Sequence, residues 1–196
     1  MRRLRLFAAG AGVALLLVGF AIRADDPSRP AAGHLKSGPQ VGDKVSTFYV
    51  RAITGPLKNK SVCYVCRNGD RPVVMVFIRQ ITPELKSLLK GIDSEIDRSR
   101  ASGLRSFGVF LAGESQELLP QVQTLAFDEK INLPLTIAAA PSDGNAGGSI
   151  HSEAAVTVVL YRDLTVMANF ACRADELHPA RVEAILKAVK DLAAGE

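Results

Sequence analysis

RPVVMVFI, residues 71–78, is the stretch on which the fold turns. From Pro72 to Ile78 it is almost continuously apolar, and a run of that length after the turn signal Asn68-Gly69-Asp70 predicts a strand buried on both faces at the centre of a sheet. Just downstream, Thr82 can cap a helix with Pro83 at its first position, and Leu85, Leu88, Leu89, Ile92 and Ile96 then share one helical face. LRSFGVFLA (104–112) predicts a second buried strand. Ser115 can cap a helix whose stripe is Leu118, Leu119, Val122, Leu125 and Ala126. A short strand over 133–139, a breaker-rich loop PSDGNAGGS and two β-rich runs flanking Arg162-Asp163-Leu164 follow, the last reading as an antiparallel hairpin. Asp175 precedes a final amphipathic helix with Val182, Ile185, Leu186, Val189 and Leu192 on its buried face. Upstream, short strands are expected over 45–51 and around 61–65. Strands alternating with crossover helices give an α/β class with a central mixed sheet covered on both sides.

The first residues place three arginines ahead of a 17-residue apolar run (6–22) and a small residue at Ala24. That order describes a secretory signal peptide over residues 1–24, which makes the protein extracytoplasmic, periplasmic or secreted. Left uncleaved, the same run would be a short membrane anchor, the one route to membrane association. Residues 25–40 are polar and rich in Pro and Gly and predict a flexible linker, in which His34 has nothing to pack against. Residues 41–196 form the expected domain. Removing residues 1–24 takes away Arg2, Arg3, Arg5 and Arg23 and no acid, so 24 basic residues become 20 against 20 acidic. A formally neutral domain without a like-charge block does not support nucleic-acid binding.

Several segments resemble the thioredoxin superfamily, and its peroxiredoxin and redoxin branch in particular. Gly42 and Phe48 in VGDKVSTF (41–48) resemble the branch's opening G-x-x-x-P-x-F. The strand PVVMVFI with its capped helix, LPLTI (133–137) and the hairpin VTVVLYRDLTVMANF (156–170) resemble later segments in the same order. The resemblance implies a thioredoxin-like sheet with an N-terminal β extension, and a thiol or disulfide of another protein as partner. It also implies a reactive cysteine at the start of the helix after the central strand, where FIRQITPELKSLL (77–89) has none; Leu85 stands at the peroxidatic position. Peroxidase activity is therefore not expected.

Three cysteines remain: Cys63, Cys66 and Cys172. Cys63-Tyr64-Val65-Cys66 is a C-x-x-C, whose sulfurs can close a small reducible disulfide or hold one soft metal ion, and Arg67 and Arg71 favour thiolate nearby. Three readings stay open: a redox pair for thiol-disulfide exchange or redox sensing, a structural staple in a redox-inactive interaction module, and a copper(I) carrier or sensor site. No cofactor is required by the first two. For the third, the resemblance extends to thioredoxin-fold copper carriers with two cysteines and a downstream histidine, a place His151 could fill. Standing before the central strand, the pair is expected at the opposite end of the sheet from the family's active site. Cys172 closes the last strand and is expected to lie at the active-site end as a buried, inert thiol, and His178 is expected at the surface.

Overall fold

The computed structural model describes residues 35–111, 117–138 and 149–195. Seven strands form one sheet: β1 (Val50–Ala52), β2 (Ser61–Val62), β3 (Val73–Ile78), β4 (Arg105–Phe110), β5 (Leu135–Ala138), β6 (Val156–Arg162) and β7 (Thr165–Cys172). Their spatial order is β2-β1-β5-β4-β3-β6-β7. β3, β4 and β5 are parallel, while β6 is antiparallel to β3, β7 to β6, and β1 to both β5 and β2. Among the described residues four α-helices accompany the sheet: α1 (Tyr64–Asn68), α2 (Pro83–Arg98), α3 (Leu118–Asp128) and α4 (Pro179–Ala194).

The apolar run decides this arrangement as its composition requires. Every residue of β3 is buried, and alternate side chains feed two separate cores. Val74, Val76 and Ile78 meet Leu85, Leu88, Leu89 and Ile92 of α2 together with α3 and α4. Val73, Met75 and Phe77 point to the other face, among Phe48, Tyr64, Val65 and Phe107. Two crossovers stepping the same way from β3 to β4 to β5 must lie on one face when both are right-handed, which puts α2 and α3 together. Helix α2 starts as expected: Thr82 Oγ1 accepts from the Leu85 N–H at 3.2 Å, with Pro83 following the cap. It approaches α4 so closely that a Cβ on Gly91 would stand 2.5 Å from Leu186 Cδ1, so any larger residue there would require the Leu186 side chain to shift. Between β6 and β7, Asp163 and Leu164 both have positive φ, the two-residue turn that matches strand twist.

The ends of elements depart from expectation. Helix α4 begins at Pro179 rather than directly after Asp175, because His178, exposed as expected, also caps it by accepting from the Arg181 N–H. The strand expected around 61–65 stops at Val62, and residues 64–68 turn into α1. Ser115, the expected cap of α3, lies outside the described residues, as do residues 1–34 with the expected signal segment and most of the linker. Residues 37–40, assigned to that linker, are docked on the domain. Ser37 is buried, its hydroxyl 2.7 Å from Thr157 Oγ1, and Asn169 Nδ2 donates to the carbonyls of Ser37 and Pro39. Farther along, the segment 42–45 lines the outer edge of β7: Gly42 N donates to Val166 O, Val166 N to Asp43 O, and Val45 N to Leu164 O.

Candidate functional site

Cys63 and Cys66 are joined by a disulfide, with Cα atoms 5.3 Å apart. Local sequence makes the loop. Cys63 has extended backbone and acts as N-cap of α1, its Sγ accepting from the Cys66 N–H at 3.1 Å. Gly69, at φ 57°, ends the helix and returns its N–H to Val65 O, so the chain can double back into β3. The two sulfurs sit in different surroundings: Cys63 is only 5% exposed, within the second core, whereas Cys66 faces solvent.

The neighbouring aromatic residues fix the inner side of α1. Tyr64 stacks on Phe107 with ring centroids 5.1 Å apart, and Phe48 lies 6.0 Å from Phe77 and 6.4 Å from Phe107. Burial raises the Tyr64 hydroxyl pKa, and the positive charge of Arg67 partly offsets this. The hydroxyls of Tyr64 and Tyr161 and Asn68 Nδ2 are buried beneath the helix without a well-formed hydrogen bond.

Strand registers relocate the pair. Ile78 of β3 aligns with Phe110, Phe110 with Ile137, Ile137 with Arg51, and Arg51 with Ser61. That row crosses the C-terminal end of β3, and Val62 and Cys63 lie beyond it. The expectation that the pair occupies the opposite end of the sheet is therefore corrected: β2 runs parallel to β3, so the chain has already reached the C-terminal edge when it enters α1. What separates the pair from the start of α2 is lateral displacement, since β2 and β3 are four strand spacings apart, about 19 Å along the sheet.

At the start of α2 itself stand Thr82, Pro83, Glu84 and Leu85, with no thiol. Cys172 belongs to the same row on the other side, opposite Val156, which pairs with Ile78. It is a free, buried thiol whose pKa burial pushes up, with Arg181 pulling weakly the other way. The expected result is that native protein at pH 8 leaves Cys172 unreactive toward iodoacetamide. Unfolding should expose one thiol, and reduction should raise the count to three; alkylation followed by mass spectrometry reads both numbers.

His151 is exposed, and among the described residues no three of His, Cys, Asp and Glu lie close enough to hold a metal ion. The structure thus does not gather Cys63, Cys66 and His151 into a ligand set. Two open grooves of about 380 and 440 Å³ flank α3, across the sheet from α1, and no cysteine or histidine lines either.

No family model and no curated protein matches the chain. Among solved structures it is similar to a candidate protein disulfide isomerase from Bacteroides thetaiotaomicron, with TM-score 0.58, 12% identity, 82% of this chain and 95% of that one covered. A yeast mitochondrial 1-Cys peroxiredoxin matches with TM-score 0.57 and 12% identity over 80% of this chain and 77% of its own. An uncharacterized conserved protein from Geobacillus kaustophilus matches with TM-score 0.59 and 14% identity over 83% and 87%. At such identities the likeness is one of fold, and it establishes a thioredoxin-like α/β fold with the mixed sheet expected from the sequence.

Proposed function

We propose that the protein exchanges disulfides with thiols of other proteins through Cys63 and Cys66. The observation carrying this reading is the disulfide itself, which offers one sulfur to solvent and keeps the other in the core. A thiolate can approach only the exposed sulfur. It attacks Cys66 Sγ, the bond to Cys63 breaks, and Cys63 leaves as thiolate, accepting the Cys66 N–H that already points at it. A second thiolate of the same partner then attacks its own sulfur in the mixed disulfide and releases Cys66. Two electrons and two protons have passed from partner to protein. The reverse sequence oxidises the protein and reduces a partner disulfide, with Cys66 as attacking thiolate and Cys63 as the resolving one.

Titration against dithiothreitol of defined redox ratio tests this. A single two-electron transition involving residues 63 and 66 is expected, whereas a pair that stays oxidised throughout would leave it a structural staple. We place this activity outside the cytoplasm, in line with the signal-like N-terminus; the mature chain is expected to begin after Ala24, which N-terminal sequencing of the exported protein checks. Peroxide turnover at peroxiredoxin rates is not expected, because no thiol stands in the first turn of α2. Following hydrogen peroxide consumption by reduced protein tests that point, and turnover lost on Cys66→Ser would overturn it.

A further inference from the structure

Three cations stand close to the disulfide along the chain. Lys60 precedes β2, Arg67 follows Cys66, and Arg71 ends the turn after α1; all three are exposed. Arg71 Nη1 reaches Arg67 O at 3.4 Å, which brings the second guanidinium back over α1. None of the three joins an ion pair among the described residues, although other lysines and arginines pair on α2, α4 and at Arg173. Asp70 is the one acid between residues 44 and 83. It immediately precedes Arg71, and its backbone carbonyl accepts from Asp163 N at the turn between β6 and β7.

We infer that Cys66, Arg67, Arg71 and Lys60 form a docking surface for a cysteine carried in an acidic polypeptide segment. The inference rests on the exchange reading above and adds the partner's chemistry to it. Acidic side chains flanking the cysteine would meet Lys60, Arg67 and Arg71. Attack then proceeds at Cys66 Sγ with Cys63 leaving as thiolate, so the mixed disulfide forms within the basic rim.

The test uses oxidised mature protein and three cysteine peptides of equal length, flanked by acidic, neutral or basic residues, with dithiothreitol as an uncharged reference. Rates of disulfide reduction are compared per thiolate, because flanking charge also shifts the peptide thiol. At low ionic strength the acidic peptide should react roughly tenfold faster than the neutral one and the basic peptide more slowly, within the range of electrostatic steering. Near 1 M salt, where screening acts over about 3 Å, the differences should largely vanish. Arg67→Glu with Arg71→Glu should reverse the order. Reduction by dithiothreitol with no preference among the peptides would overturn the docking surface and leave the exchange reading standing. A disulfide resistant even to dithiothreitol would overturn both. An equal gain for mercaptosuccinate, a small dianionic thiol, would show that charge alone suffices and overturn docking of a polypeptide.

Discussion

Cys63→Ser and Cys66→Ser are expected to give opposite phenotypes with glutathione disulfide. The Cys63→Ser protein retains the exposed thiol and loses the one that resolves, so a stable mixed disulfide on Cys66 should accumulate and be visible by intact mass. The Cys66→Ser protein retains a thiol that is 5% exposed and reacts only when the structure opens locally. Its reaction should be roughly 100-fold slower, the factor imposed by an opening that costs about 3 kcal/mol. The contrast is informative because folding defects would affect both variants in the same direction. Equal rates, or a faster Cys63, would reverse the roles assigned to the two sulfurs. Circular dichroism on both variants separates chemistry from misfolding.

Phe107→Ala should produce the largest loss of stability short of unfolding. Its ring is 1% exposed, stacks on Tyr64 and neighbours Phe48, so it joins the sheet to both the disulfide helix and the N-terminal segment. Removing a buried phenylalanine side chain costs about 3–5 kcal/mol through lost burial and the cavity left behind. Phe107→Leu, nearer in volume, should cost under about 1.5 kcal/mol. Denaturant unfolding with the disulfide intact measures both, and an unchanged slope would show that the native and unfolded states keep their compactness. A loss under about 1 kcal/mol for the alanine variant would mean that the cavity collapses without penalty. Dithiothreitol should also reduce the alanine variant faster, since α1 then rests on an incomplete core.

The elements legible in the sequence were those whose burial is written into composition. The run ending at Ile78 needs no partner information to be recognised as a central strand, and the Thr82-Pro83 pair announces the start of α2. Positions 61–68 were not legible in the same way. Val62, Tyr64 and Val65 all suit a strand, and the helix there depends on Cys63 capping it and on Tyr64 finding Phe107, a residue 43 positions along the chain. Nor does chain order tell which end of a sheet a loop occupies: that depends on β2 pairing with β1 in a given direction, a long-range choice. The cysteine pair itself was plain from spacing. What spacing could not convey was the difference between the two sulfurs, which arises when the second core closes over Cys63 and leaves Cys66 outside. The Gly and Pro content of residues 37–40 likewise suits a linker, and only Thr157 and Asn169 reveal why that segment is ordered.

That N-terminal strip has a consequence for the order in which the molecule assembles. Ser37 is held by Thr157 and Asn169, 120 and 132 positions away in sequence. Contacts of such separation carry the largest loop-closure penalty when made early, so the strip gains most by waiting until β6 and β7 have formed. The first described part of the chain to be synthesised thus has its binding groove supplied by nearly the last. Until that moment the outer edge of β7 is bare along the stretch that residues 42–45 will line, and a bare strand edge is an invitation to pair with another chain. The same short segment that looks dispensable in the finished fold acts as a late clasp, and its docking marks the point at which the chain ceases to be vulnerable to self-association along that edge.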